Sequence, residues 1–127
     1  MELAPPARFA DTIVLKPVGR IDYDTASDFR KWLGAAVGTP GARHLVLDFS
    51  EVEYIASIGL RALLLASRDA KANGASLAVA ALRPIVKEIF DITRFAIVLD
   101  IFASVPEALR AASAEALEAY STPRPAR

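Results

Sequence analysis

The segment His44–Leu65, HLVLDFSEVEYIASIGLRALLL, constrains this chain more than any other. Its first part, His44 to Phe49, is a nearly unbroken apolar run closed by Asp48 and Ser50. Such a run fits a strand covered on both faces, because a half-exposed strand would alternate. A short loop follows, and then a helix opens at Ser57. Leu60, Leu63 and Leu64 fall on one face of that helix, Arg61 and Arg68 on the other. Ser57 sits where a hydroxyl can cap free backbone N–H groups. The same place suits a phosphate, since the helix dipole and the unpaired amides both favour negative charge. A serine there is therefore either a structural cap or a chemical switch.

The remaining elements alternate in kind. Residues 12–21, TIVLKPVGRI, read as one extended segment with a bend or sheet edge at Pro17. Asp24 or Thr25 can cap a helix from Ala26 to Val37, whose apolar stripe is Ala26, Phe29, Leu33, Ala36 and Val37. Asn73-Gly74 ends the helix that starts at Ser57. Ser76–Leu82 reads as a second buried strand. Pro84 opens a third helix reaching Thr93, and Ile97–Phe102 reads as a strand. Ser104 caps a single last helix running to Tyr120. One domain is expected over residues 1–120, with a disordered tail at 121–127. The alternation implies an α/β fold with right-handed crossovers.

Composition excludes several function classes. The 15 basic and 15 acidic residues cancel, and no basic block argues for nucleic acid or an anionic membrane surface. There are no cysteines and one histidine, so thiolate chemistry, a metal cluster and a histidine-based catalytic centre are not expected. No apolar stretch approaches the ~20 residues of a membrane span. The start, MELAPPARFA, lacks a signal-like charged and apolar run. A cytoplasmic protein without membrane insertion, metal or cofactor is the expectation. GxGxxG and GxxxxGK[ST] are both absent, against a nucleotide-binding or enzymatic domain.

Four pieces of sequence resemble the STAS domain family, in particular its anti-sigma factor antagonists. Asp48-Phe49-Ser50 and Tyr54-Ile55-Ala56-Ser57-Ile58-Gly59-Leu60 are similar to the family's central motif. Gly19-Arg20-Ile21-Asp22 with Thr25-Ala26 looks like its first strand-to-helix junction. Arg83-Pro84-Ile85-Val86-Lys87 through Thr93 looks like its third helix. The resemblance covers about residues 10–112. It implies a mixed sheet of four to five strands, with about four helices packed mainly against one side. Ala56 stands where the family usually has Asp, and Ile58 where it has Ser or Thr.

The resemblance also implies a function. Ser57 matches the serine phosphorylated by a partner that is both anti-sigma factor and GHKL-type kinase, and a serine phosphatase would reverse the step. The chain would perform no catalysis. Asp22, Asp24, Thr25, Ile55, Ala56, Ile58, Gly59 and Arg61 become the expected partner-binding residues. Asp48 is expected to brace the loop before Ser57, and Gly59 to let the helix start lie close to the sheet. Turn and capping chemistry explains Asp22 and Asp24 equally well. A STAS subunit of another assembly, stressosome-like or lipid-transporting, is the alternative, with Ser57 then an interface or cap residue.

Overall fold

Leu45 and Leu47 face one side of their strand and Val46 the other, and all three are buried. Both faces of that strand are covered, as its apolar run requires. In the structure, a computed structural model that describes residues 1–122, it is the centre of the fold. Eight strands are formed among these residues: β1 (Glu2–Leu3), β2 (Ala7–Phe9), β3 (Thr12–Leu15), β4 (Pro17–Ile21), β5 (His44–Asp48), β6 (Val52–Ile55), β7 (Ser76–Ala80) and β8 (Asp100–Phe102). Six helices accompany them: α1 (Ala26–Val37), α2 (Ser57–Ala72), α3 (Pro84–Ile92), α4 (Phe95–Val98), α5 (Val105–Ala112) and α6 (Ala114–Ser121).

The main sheet is mixed, in the order β2-β3-β5-β7-β8. Only β2 and β3 run antiparallel, and the rest is parallel, with Leu45 beside Ile13 and Leu77. A second sheet, β1-β4-β6, carries the site described below. The segment 12–21 is thus two strands in two sheets, broken at Lys16. Pro17 opens β4 opposite Leu3 of β1, a place where its missing N–H breaks no interior ladder.

The helices cover the main sheet unequally. Leu45, Leu47, Leu77 and Val79 form one core with Phe29 and Leu33 of α1, Leu60 and Leu63 of α2, and Val86 and Phe90 of α3. Phe95 of α4 packs at its margin. On the opposite face Val46 and Ala80 meet Val105, Ala108, Leu109 and Ala116 of α5 and α6. The main sheet's five strands fall within the expected four to five; six helices form where about four were expected, and four of them lie on one side.

Several boundaries differ from the sequence reading. Val52–Ile55, read as loop, is β6. The expected strand at 97–102 begins only at Asp100, because Phe95–Val98 form a helical turn. The last helix is two. Ser113 is extended (φ −160°, ψ 122°), its N–H donates to the Leu109 carbonyl and its hydroxyl accepts from the Ala116 N–H. It closes α5 and caps α6. Ser121, assigned to the tail by its sequence, ends α6, and the rest of the expected tail, 123–127, lies outside the described residues.

Candidate functional site

β4 and β6 are parallel neighbours, with Ile21 opposite Ile55. Each feeds a helix at its carboxyl end, so the turn before α1 and the start of α2 lie side by side. The Ala56 N–H donates to the Ile21 carbonyl at 2.8 Å and ties the two junctions together.

The first junction is a closed hydrogen-bond system. The Asp22 carboxylate accepts from the backbone N–H groups of Asp24 (3.0 Å) and Thr25 (3.3 Å). The Asp22 N–H donates to the Thr25 hydroxyl (2.9 Å), which donates in turn to the Arg20 carbonyl (2.9 Å). Asp22 and Thr25 are thus occupied in building an Asx-type turn. Asp24 and Tyr23 project from it into solvent, Tyr23 at 73% exposure.

The second junction corrects the capping role expected of Ser57. Ala56 holds the cap position in extended conformation (φ −84°, ψ 166°), and Ser57 is the first residue of α2. No side chain caps this helix. The Gly59 and Leu60 N–H groups both donate to the Ala56 carbonyl (2.9 and 3.1 Å). The amides of Ser57 and Ile58 are left as open donors, and no acidic residue stands in the first turn. Ser57 itself is exposed. The geometry therefore presents an uncommitted hydroxyl at the positive end of a helix of 16 residues.

The other motif residues divide into support and surface. Ile55 and Ala56 are 1% and 7% exposed, so their side chains serve the core and offer a partner nothing. Gly59 is also buried. A Cβ there would stand 2.6 Å from Cγ2 of Ile21 and 2.8 Å from Cγ1 of Ile55. Its bare backbone lets α2 start against β4 and β6. Asp48 accepts from the Ser50 N–H at 3.0 Å. It shapes the turn between β5 and β6 and makes no direct bond to the residues just before Ser57. Arg83 of the loop before α3 braces the same turn, donating to the Ser50 carbonyl at 2.8 Å. Ile58 and Arg61 remain on the surface.

Two features near Ser57 escaped the sequence reading. The Arg20 guanidinium lies 4.6 Å above the centre of the Tyr54 ring, a cation–π contact between adjacent strands. A groove of about 310 Å³ also runs between α1 and α2, lined by Tyr23, Arg30, Ile58, Arg61, Ala62 and Leu65 among others. Its α1 side was not foreseeable locally, because only the packing of α1 on α2 turns Arg30 toward Arg61. Among the described residues no group of three or more histidine, aspartate or glutamate side chains could hold a metal ion. Among the same residues no helix is long and apolar enough to cross a membrane.

Known proteins share this sequence pattern and fold. The model of the STAS domain family matches residues 4–108. A candidate anti-sigma factor antagonist of Bordetella bronchiseptica, BtrV, is 36% identical over 77 residues, which are 61% of this chain. The match spans 66% of that relative's own length. An anti-sigma factor antagonist from Mycobacterium paratuberculosis has a crystal structure that superposes with a TM-score of 0.78. It is 23% identical, covering 87% of this chain and 93% of the other. The anti-sigma factor antagonist SpoIIAA, unphosphorylated, superposes with a TM-score of 0.71 at 17% identity, over 87% of this chain and 93% of its own. SpoIIAA of Bacillus has also been solved in a phosphorylated form.

Proposed function

The chain belongs to the STAS domain family, and from that premise we propose that it is an anti-sigma factor antagonist switched by phosphorylation at Ser57. The observation that carries this reading is the start of α2. An exposed serine occupies the first helical position, caps nothing, and has open amides and no acidic residue in the same helical turn. Two of the competing hydroxyls are less available. Ser67 is buried, and the Thr25 hydroxyl is engaged with the Arg20 carbonyl. That relatives of this fold are anti-sigma factor antagonists, one of them solved in both phosphorylation states, supports the same reading.

In this mechanism the unphosphorylated chain binds an anti-sigma factor that is also a serine kinase of GHKL type, and a sigma factor is freed. The chain is the substrate and performs no chemistry itself. Phosphate brings about −1.5 to −2 charges to Ser57. At a surface packed against a partner this costs desolvation and changes the local sign of charge. A coupling of ~3 kcal/mol suffices to shift affinity more than a hundredfold. A serine phosphatase resets the cycle, and the circuit operates in the cytoplasm. Incubation with the kinase and Mg-ATP, followed by phosphopeptide mapping, is expected to show one phosphate, at Ser57. A phosphate mainly at Ser50, Ser67 or Thr25, or none with an active kinase, would refute the assignment.

A further inference from the structure

We infer that the α1–α2 groove is the seat for an acidic amphipathic helix of the partner protein, with Arg30 and Arg61 as the residues that select it. The groove is flanked by matching stripes, Ala26 and Arg30 on α1 and Ile58, Arg61, Ala62 and Leu65 on α2. Its floor is apolar, and Tyr23 and Ile58, at 73% and 38% exposure, are large side chains with no cover at one end. It continues into a smaller space of about 70 Å³ beside Gly34, Ala66 and Asp69. A Cβ at Gly34 would meet nothing within 4 Å, so this end is open. From Ile58 to Asp69 the seam is about 16 Å long, or three helical turns. A slot of that length between two helices, floored by small side chains, fits a third helix laid along it.

Charge fixes the kind of helix. Neither Arg30 nor Arg61 forms an ion pair with a described residue. Two unpaired guanidiniums at the rim of an apolar groove favour carboxylates, which they can hold through paired N–H donors. Asp69, at the far end, favours a cation there. The occupant is therefore polar along its length, acidic beside Ser57 and neutral or basic beyond it.

The groove also explains how a phosphate could act on it. Ser57 and Arg61 are four residues apart in α2, hence neighbours on one face. A phosphate on Ser57 competes in cis for the guanidinium that holds the incoming carboxylate. This regulatory step rests on the antagonist reading, whereas the groove's preference for acidic helices does not.

The test uses the full chain, labelled with ¹⁵N, and two synthetic peptides. One is a 15-residue amphipathic helix with a leucine stripe, glutamates flanking that stripe over one half and uncharged glutamines over the other. The other is identical except for lysines in place of the glutamates. Saturable amide shifts at Arg30, Ile58, Arg61 and Leu65 are expected with the acidic peptide alone. Arg30→Gln and Arg61→Gln should each weaken it at least fivefold, and Gly34→Leu, which fills the open end, should weaken it while leaving the fold intact. Equal binding of both peptides, shifts confined to another surface, or no saturable binding would overturn the inference. If the acidic peptide binds the wild type as expected and binds Ser57→Asp equally well, the groove stands and the phosphoswitch falls.

Discussion

Gly59 and Ser57 stand two residues apart and respond oppositely to the same change. At Gly59 a methyl group would meet two packed isoleucines at 2.6 and 2.8 Å. Neither can retreat freely, since Ile21 and Ile55 are buried at the ends of paired strands. Gly59→Ala is expected to destabilise the chain by about 1–3 kcal/mol through overpacking, read as a lower denaturation midpoint with an unchanged slope. At Ser57 the side chain caps nothing, so Ser57→Ala should change stability by no more than about 0.5 kcal/mol. Ser57→Asp adds a negative charge at the positive end of α2 and should hold or raise stability by about 0.3–1 kcal/mol. Its effect belongs to binding. Calorimetric titration with the kinase is expected to show near-normal affinity for the alanine variant and a large loss for the aspartate variant. Equal affinities would mean that charge at this position is not the switch. The position of Ser57 at a helix start was legible from the motif. That Ala56, not Ser57, takes the cap was not, because the boundary depends on where the chain leaves the extended region.

Among the elements, α1 contains a second informative glycine. Gly34 lies inside a regular helix, is exposed, and has open space where a Cβ would be. Nothing in its surroundings calls for a glycine, which in a helix interior is less favourable than alanine by about 1 kcal/mol. Gly34→Ala should therefore stabilise the chain by about that amount, raising the melting temperature by about 4 °C. A loss of stability would mean that α1 is under a constraint its local geometry does not reveal. The extents of α1 and α2 were readable because their apolar stripes repeat at helical spacing over 12 and 16 residues. Short elements gave no such signal. β6 has four residues without a period-2 burial pattern, since Val52 and Ile55 are both buried though they face opposite sides, and it passes for loop until β4 lies beside it. β1 and β2 flank a pair of prolines and exist only by pairing with β4 and β3. The break at Ser113 is one residue long, and the apolar spacing on either side runs through it.

For the whole molecule, the alternation of strands and helices made the α/β class readable, while the allocation of helices to faces was not. Leu45, Val46 and Leu47 are equally apolar, so the sequence does not say which helix covers which residue. Packing divides them: α1 to α4 build the core behind Ser57, and α5 with α6 builds a separate one around Val46 and Leu109. This division predicts that stability and partner binding can be separated. Leu109 is fully buried in the second core. Leu109→Ala removes its side chain from a packed site and should destabilise by about 2–5 kcal/mol. The groove, Ser57 and the Asp22–Thr25 turn belong to other elements and share no core residue with Leu109. Measured well below its unfolding transition, the variant should bind the kinase with an affinity within about twofold of wild type. Arg61→Ala should do the reverse, weakening the complex with little change in melting temperature, since Arg61 is exposed and makes no ion pair with a described residue. Denaturant titration and calorimetry on both variants decide the matter. If Leu109→Ala binds poorly while still folded, the two faces of the sheet are coupled and α5–α6 contributes to the partner surface.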